Sequence, residues 1–447
     1  MTSLSILPSS RATPILGHLP QMMRDPLGFL SQLGHTHGDL STFRIGTRRA
    51  LLVNSPALID RIVRDRNCWR SEDTRRALRS FLGDGLLSLE GPTHLRHRRL
   101  MAPAFHKERI KAYARIMVDE TVASLSSWRV GETRDVRGEM MHLTLSVVSR
   151  ALFGTSSASH AHDIDVSLRQ ILPWVARMFN LLAAMPLHMP MMHTPATRRA
   201  IRKLDRIVRK IVAERRAHPE DRGDLLSMLL AARDEDGSAL SDDEICAEAL
   251  TIMLAGHETT ANTLTWAWHL ITKHPEVQEA LAAEVRGVLG DRDVSFDDLA
   301  KLPLTEQVIR ETLRLYPTAW WADRVPLADI ELAGHRIPKG TMMVMSVYVT
   351  QRDARFFEDP ERFDPSRFEP TRAKQIPEGA YLPFGAGVHQ CIGNMFALVE
   401  ARLILATMVQ RLVLRAQPGH EVKAVPAVTL QMADPFPVTV HGVRYGS

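Results

Sequence analysis

The sequence predicts a mainly helical fold with small β-sheets. From Pro56 to about residue 315, apolar residues recur at spacings of three and four among many Ala, Leu, Arg and Glu residues, which is typical of amphipathic helices. Alternating runs that favour strands lie near both ends of the chain. Hydrophobic residues make up 45% and charged residues 24% of the 447 positions, and we find neither a linker nor an internal repeat, so we expect one compact domain over residues 1–447.

Strands are predicted in three places, at about residues 40–55, 318–350 and 425–445. Thr42–Ile45 and Ala50–Val53 flank the turn-like segment Gly46–Arg49 and therefore predict a hairpin. A second turn at Pro338–Gly340 precedes the apolar run Met342–Tyr348. The helical part is expected to occupy the intervening positions, about 56–317.

One helix is expected to be much longer than the others. Ser241 and Glu244 form a capping box, and the helical pattern continues toward Lys273 with only Gly256 as an interruption. Such a helix is ~45 Å long at ~1.5 Å per residue, and its apolar flanks indicate burial on most sides. A final helix is predicted over Asn394–Leu412.

Charge and cysteine content narrow the class of protein. The 56 Lys and Arg residues exceed the 51 Asp and Glu residues by a scattered surplus, which argues against a nucleic-acid binder and is compatible with an acidic protein partner. Cys68, Cys246 and Cys391 lack C-x-x-C spacing, so neither a disulfide framework nor a structural zinc site is indicated. We therefore expect a cytoplasmic protein.

The sequence also argues against a membrane anchor. Met1–Pro20 lacks a basic start followed by an apolar run. The most apolar stretch, Ile171–Met192, is broken by Pro173, Pro186 and Pro190, which rules out an uninterrupted spanning helix of ~20 residues. We interpret this Pro- and Met-rich stretch as an access lid, with ordinary packing as the alternative.

Cys391 lies in a Gly-rich loop, Phe384–Gly393, that leads directly into a helix. The positive end of that helix and nearby backbone N–H groups stabilise a thiolate, lower its pKa and suit it to bind iron. The glycines let the backbone pass close to a flat ligand. The alternative for a lone cysteine is a buried structural residue.

The spacing within this loop favours the iron site. The loop matches F-x-x-G-x-[RH]-x-C-x-G at Phe384, Gly387, His389, Cys391 and Gly393. It thereby resembles the haem-binding signature of the cytochrome P450 family. The resemblance implies a single domain shaped like a triangular prism, with a long central helix over haem b. It also implies that Cys391 is the axial iron ligand and that Phe384, Gly385 and Gly393 line the cofactor.

A second match is the E-x-x-R pair Glu311 and Arg314, which three-residue spacing places on one helical face. Alone, such a pair is usually a solvated ion pair. In the P450 family it is joined by an arginine from the following coil, and the resemblance assigns Arg367 to that position. The expected triad is structural and supports the core on the haem side.

A third match lies on the long helix, where Ala255–Thr260 resembles the family motif A-G-x-[DE]-T-[TS]. Reduction of dioxygen consumes protons, so an acid and an alcohol beside the cofactor suit proton delivery. We expect Glu258 to supply protons from solvent and Thr259 to hold water or hydroperoxide. Ala255 and Gly256 would adjoin the cofactor, with Gly256 leaving space for dioxygen.

The two propionates of haem require cationic or hydrogen-bonding partners. His94 and Arg98, four residues apart, resemble the family's H-x-x-x-R pair. Arg324 and His389 occupy the other positions at which family members contact propionates. Arg96 and Arg99 lie close to this pair in the sequence. We expect both to face solvent and to help dock an acidic redox protein.

Segments that resemble substrate-facing regions are apolar, so a hydrophobic substrate is expected. The candidate pocket residues are Leu86, Trp320, Trp321 and Leu430, although ordinary core packing explains a tryptophan pair equally well. The general likeness is to bacterial P450 enzymes that oxidise terpenes, fatty-acyl chains or polyketides in secondary metabolism. Sesquiterpene oxidation is the most specific expectation.

The resemblance implies a monooxygenase that hydroxylates or epoxidises its substrate with O2. No flavin or reductase domain fits beside the haem fold in 447 residues, so electrons from NAD(P)H would arrive through a ferredoxin reductase and a ferredoxin. Two departures from the family pattern are His389 in place of the commoner Arg and Gln351 where His often precedes Arg352. Neither touches the residues that handle oxygen.

Other functions are less compatible with the sequence. H-E-x-x-H and G-x-S-x-G are absent, which argues against metalloprotease and hydrolase chemistry. A haem-thiolate sensor without turnover remains an alternative, as does a peroxide-driven or rearranging P450. Glu258 and Thr259 argue against the sensor, which needs no proton relay. They also argue against peroxide-driven or rearranging members, which typically lack this acid–alcohol pair.

Overall fold

The computed structural model describes residues 7–46, 48–154, 161–182, 193–218 and 220–443. The helices are α1 (Leu19–Arg24), α2 (Pro26–His37), α3 (Pro56–Arg64), α4 (Glu72–Leu82), α5 (Gly91–Met101), α6 (Lys107–Leu125), α7 (Val136–Phe153), α8 (Ala161–Leu182), α9 (Pro195–Ala217), α10 (Leu225–Ala231), α11 (Asp242–Lys273), α12 (Pro275–Leu289), α13 (Pro303–Leu315), α14 (Val347–Thr350), α15 (Pro370–Ala373) and α16 (Asn394–Arg411). The strands are β1 (Leu40–Ile45), β2 (Arg48–Val53), β3 (Cys68–Trp69), β4 (Thr133–Asp135), β5 (Ala322–Pro326), β6 (Ile330–Leu332), β7 (His335–Ile337), β8 (Met342–Met345), β9 (Leu412–Ala416), β10 (Ala424–Pro426), β11 (Leu430–Met432) and β12 (Pro437–Val443).

The predicted hairpin is present as β1 and β2, paired antiparallel from Leu40 with Val53 to Ile45 with Arg48. It belongs to a five-stranded sheet with the order β1-β2-β8-β5-β3. Strands β4, β12 and β9 form a second sheet, and β6–β7 and β10–β11 are two-stranded. The five-stranded sheet brings Arg324 of β5 close to the segment that follows β3.

Two predicted boundaries were wrong. The strand expected over Met342–Tyr348 ends at Met345, because the Ser346 hydroxyl accepts from the backbone N–H of Val349 at 3.4 Å and starts the short helix α14. At the other boundary, α16 ends at Arg411 and Leu412 already belongs to β9, so the chain passes from helix to strand without a loop.

The long helix α11 is confirmed with its capping box, in which Ser241 and Glu244 exchange side-chain and backbone hydrogen bonds. Its 32 residues span ~48 Å. It packs against α7, α9, α13 and α16, and most of its residues are buried. Trp266 of this helix stacks on Tyr316 with ring centroids 3.9 Å apart. These contacts fix α11 in the main core, opposite the start of α16.

The stretch interpreted as an access lid falls only partly within the described residues. Helix α8 includes Pro173 and extends to Leu182, whereas residues 183–192 lie outside the described part. The lid therefore remains an expectation. Among the described helices, none has the length and apolar character that a membrane span requires.

Candidate functional site

The loop that carries Cys391 packs directly against the end of α3. Gly387 has φ +68°, and a Cβ at this position would lie 2.1 Å from the carbonyl oxygen of Val63, so only glycine fits. The backbone N–H of Cys391 donates to the carbonyl oxygen of Phe384 at 2.9 Å. Gly393 forms the N-terminal cap of α16. These contacts fix the sulfur just before the positive end of that helix.

Opposing effects act on the Cys391 thiol. Desolvation by the surrounding protein raises its pKa, whereas the backbone N–H of Gly393 and the charge of Arg98 lower it. Desolvation is the larger effect, so the lowered pKa that we expected from the helix end and backbone N–H groups alone is wrong for the polypeptide. A bound metal cation deprotonates a coordinating thiol outright. Cys391 as a residue keeps some exposed surface, although protein surrounds its thiol.

Glu258 and Thr259 are neighbours in the middle of α11. Glu258 is 6% exposed, and one of its carboxyl oxygens accepts from the Thr429 hydroxyl at 2.5 Å. Burial raises the pKa of Glu258, and the hydrogen bond from Thr429 offsets this only in part. The Thr259 hydroxyl donates to the carbonyl oxygen of Ala255 at 2.6 Å. It can still accept a hydrogen bond from another donor.

Gly256 is explained by helix packing. A Cβ at this position would lie 3.0 Å from a methyl carbon of Val148 on α7. The missing side chain therefore points toward α7, and the close approach of the two helices by itself favours a glycine, whereas space for dioxygen stays a prediction.

Basic side chains converge beside the Cys391 loop. His94 and Arg98 come from α5, Arg324 from β5 and His389 from the loop itself. His389 Nδ1 lies 3.2 Å from His94 Nε2, and Arg98 donates to the carbonyl oxygen of Gln390 at 2.6 Å. Desolvation, reinforced by the neighbouring positive charges, lowers the pKa of His94 to about 3 and that of His389 to about 4.

Arg96 and Arg99 are held in ion pairs within the protein. Arg99 lies 2.6 Å from Asp234, and its side chain is 55% exposed, as expected for a solvent-facing residue. Arg96 is only 27% exposed and lies 3.3 Å from Glu244. The expectation that both face solvent is therefore wrong for Arg96.

The structure brings Glu311, Arg314 and Arg367 together. Arg314 donates to both carboxylate oxygens of Glu311 at 2.7 and 2.8 Å, and Arg367 approaches the same carboxylate at 3.4 Å. Glu311 and Arg314 are fully buried. Gln351, at the position where the family often has His, donates to the carbonyl oxygens of Leu313 and Arg314 at 2.9 Å each. The Gln351 side-chain amide thus connects the end of α13 to the segment that follows α14.

Comparison with known proteins decides the family. The family model described as cytochrome P450 matches residues 7–436. The chain belongs to the cytochrome P450 family. The haem domain of cytochrome P450DA superposes with a TM-score of 0.87 at 27% identity, covering 97% of both chains, which confirms the predicted fold.

Curated P450 relatives are similar over nearly their whole length. Cyclooctat-9-en-7-ol 5-monooxygenase and cyclooctatin synthase of Streptomyces melanosporofaciens are 39% and 38% identical, over 91% and 93% of this chain and 89% and 92% of theirs. Pentalenene oxygenase of Streptomyces avermitilis is 37% identical over 94% of this chain and 93% of its own. The protein is accordingly a P450 monooxygenase with haem b, and it uses O2, a redox partner and a hydrophobic substrate.

The residues of this P450 fit a haem. Arg324 is 5% exposed, and its Nε has no hydrogen-bond partner in the described part of the chain. A buried guanidinium with an unused N–H group calls for an anion, and a haem propionate is one. One small cavity is lined by Thr259 of α11, Phe384 of the Cys391 loop and Leu398 of α16, so α11 and this loop face each other.

Two of the predicted pocket residues line a large cavity. Trp320 and Trp321, with ring centroids 5.5 Å apart, form part of the wall of a cavity of about 1140 Å³. Leu430 packs beside Trp320 in the same apolar cluster. Leu86 instead belongs to the main core, where its backbone N–H donates to Glu248 at 3.1 Å. The four residues predicted to line one pocket therefore lie in two different parts of the structure.

Sequence reasoning missed polar residues that complete the site. No motif marks the hydrogen bond between Thr429 and Glu258. Glu90 lies 2.8 Å from His389 and likewise belongs to no motif. Glu400 is fully buried on α16, and burial raises its pKa to about 8, with an opposing effect of Thr260. An acid within an otherwise apolar helical run was the available signal for Glu400.

Proposed function

We propose that this P450 oxidises a terpene, with electrons supplied by a ferredoxin and its NAD(P)H-dependent reductase. The observation that carries the substrate class is the similarity, over more than nine-tenths of the chain, to monooxygenases of terpenes. The cavity beside Trp320 and Trp321 adds no support for this class, because charged residues such as Asp73 and Lys423 also line it and neither Cys391 nor Thr259 does.

In this proposal Cys391 ligates the haem iron, and His94, Arg98, Arg324 and His389 hold the propionates. Haem supplies the electron transfer and oxygen chemistry that protein side chains lack. The unpartnered Nε of buried Arg324 supports the propionate assignment most directly. Ala255, Phe384, Gly385 and Gly393 would border the cofactor, while Glu311, Arg314 and Arg367 support its core side. We assign Glu311, Arg314 and Arg367 a structural role only.

Glu258 and Thr259 handle protons. The raised pKa of buried Glu258 favours its protonated form, which suits it to pass on a proton. The hydrogen bond from Thr429 uses one carboxyl oxygen of Glu258. The second oxygen remains available to exchange a proton with a water or, after the side chain rotates, with another group. The Thr259 hydroxyl, which donates to Ala255, then accepts from and orients a hydrogen-bond donor at the cofactor.

Positive charge near the Cys391 loop supports an acidic electron donor. Arg61, Arg64 and Arg66 are exposed at and just beyond the end of α3, and the backbone of Arg64 approaches Gly387. Arg64 also pairs with Asp60 at 2.7 Å, which offsets part of this charge. Arg98 extends to the carbonyl oxygen of Gln390 on the same side. Ferredoxins are small acidic proteins, so attraction to this patch would fall steeply with ionic strength.

The test is turnover with 18O2, NADPH and a ferredoxin–reductase pair on a panel of terpenes of increasing size, with a saturated fatty acid of similar carbon number as the matched competitor. We expect one 18O atom in a terpene product and little fatty-acid oxidation. Oxidation of the fatty acid with no terpene product would overturn the proposed substrate class. Reversal of charge in Arg64→Glu should slow reduction by ferredoxin but leave reduction by dithionite unchanged.

A further inference from the structure

We propose that Glu90 is a positioning residue for the cofactor, whose carboxylate fixes the orientation of His389 and, through it, of His94 within the basic cluster that meets the haem propionates. The inference rests on the proposed function, because it takes the cluster of His94, Arg98, Arg324 and His389 as the propionate site. Glu90 itself directly precedes α5 and belongs to none of the motifs that marked the site.

The side chain of Glu90 is not used for capping its own helix. Glu90 occupies the N-cap position of α5, yet its carboxylate makes no capping hydrogen bond. It turns inward, where only 2% of the side chain is exposed. One oxygen accepts from the backbone N–H of Arg70 at 3.1 Å, and the other lies 2.8 Å from His389 Nε2. Both oxygens are thus committed to the interior.

The contact continues through two imidazole rings. His389 Nδ1 lies 3.2 Å from His94 Nε2, and the ring centroids are 4.4 Å apart. An ionised carboxylate can only accept, so the hydrogen on this side of His389 must be on Nε2. Glu90 therefore fixes both the orientation of the His389 ring and the nitrogen that faces His94. His94 Nε2 then donates to His389 Nδ1, so the two rings are held as a unit beside Arg98 and Arg324, whose guanidinium groups supply N–H donors for the propionates.

Charge explains why a carboxylate is needed here. Arg70, Arg98 and Arg324 surround the two histidines, and Arg70 and Arg324 repel positive charge on His389. Burial alone would raise the pKa of Glu90, but the hydrogen bond from His389 and the charge of Arg70 lower it, so the carboxylate is ionised. Glu90 compensates part of this positive cluster before any propionate does, and removing it leaves the rings without a fixed acceptor.

The experiment compares the haem-loaded wild type with Glu90→Gln, Glu90→Asp and the control Glu331→Gln, whose residue is exposed on β6. Haem transfer to excess apomyoglobin measures cofactor loss. We expect Glu90→Gln to lose haem roughly tenfold faster, as for one charge-assisted hydrogen bond, with Glu331→Gln unchanged. The midpoint potential should shift to a more positive value in Glu90→Gln because a negative charge is removed, and much less in Glu90→Asp, which keeps the charge.

A double-mutant cycle separates positioning from general stability. If Glu90 acts through His389, Glu90→Gln should add little to the rate of haem loss once His389→Ala is present. Additive effects, or wild-type haem loss and potential in Glu90→Gln, would overturn the inference. Far-UV circular dichroism identifies a variant that fails to fold, and Glu90→Asp then carries the test. Failure of the proposed iron site gives a different result, because the wild type itself would then lack thiolate-ligated haem.

Discussion

The carboxyl group of Glu258 on α11 and the hydroxyl of Thr429 near the C-terminus meet at 2.5 Å in the buried interior. Asn262, one turn along α11, donates to the same hydroxyl oxygen at 3.1 Å. Thr429 therefore holds its hydrogen toward Glu258, which fixes one carboxyl oxygen of the acid. The other oxygen is the one left to exchange protons.

Replacing Glu258 with Gln should slow turnover roughly a hundredfold or more, because an amide cannot release a proton where the acid does. Binding of substrate should change little. Thr429→Val, which leaves the carboxyl in place, should have a smaller effect. Steady-state turnover in H2O and D2O measures both, and full activity of Glu258→Gln would remove this residue from proton delivery.

Thr259→Ala should uncouple electron use from product formation and release hydrogen peroxide. The hydroxyl that would orient the proton donor is lost, while the helix keeps its packing. Thr265→Ala is the matched control, since its hydroxyl also bonds back one turn, to Ala261 at 2.7 Å, on a buried part of the same helix. Product and peroxide formed per NADPH are the measurements. Unchanged coupling in Thr259→Ala would contradict the assignment.

Glu311→Gln should destabilise the protein by about 3–5 kcal/mol, because Arg314 and Arg367 would keep buried charges without a carboxylate. The comparison is Glu214→Gln, which breaks an exposed pair with Lys210 and should cost less than about 1 kcal/mol. Urea unfolding followed by circular dichroism gives both free energies. Equal, small losses would mean that the triad does not support the core.

Glu400→Gln should make the protein more stable, and increasingly so as pH rises. Burial raises the pKa of Glu400 from 4.5 to about 8, so the unfolded state loses its proton first. The wild type therefore loses stability between these two pH values, by a few kcal/mol at most. The amide has no such titration, and the gain should level off above about pH 8. A difference independent of pH would show that Glu400 is not buried in its neutral form.

Much of the fold was predictable because its signals are local. The capping box at Ser241 and Glu244, the helical periodicity and the β1–β2 hairpin depend on neighbouring residues. The boundaries at Met345 and Arg411 were not predictable, since a serine cap and strand pairing with distant β12 decide them. Local patterns determine which element forms more reliably than where it stops.

The candidate site likewise has features that the sequence predicts and features that it does not. Motif spacing predicted the Cys391 loop and the pair at Glu258 and Thr259 as candidates. Contacts made across the fold, such as Glu258 with Thr429, leave no trace in local sequence. The direction of Gly256 was also hidden, because a helical pattern does not say which neighbour a missing side chain would meet.

The difference spectrum of the dithionite-reduced protein with and without carbon monoxide tests the central claim most directly. Wild type and Cys391→Ala are compared at equal haem content. The account predicts a strongly red-shifted Soret band in the wild type that disappears in the variant. A folded, haem-loaded wild type without that band, or a variant that keeps it, would contradict ligation of the iron by Cys391.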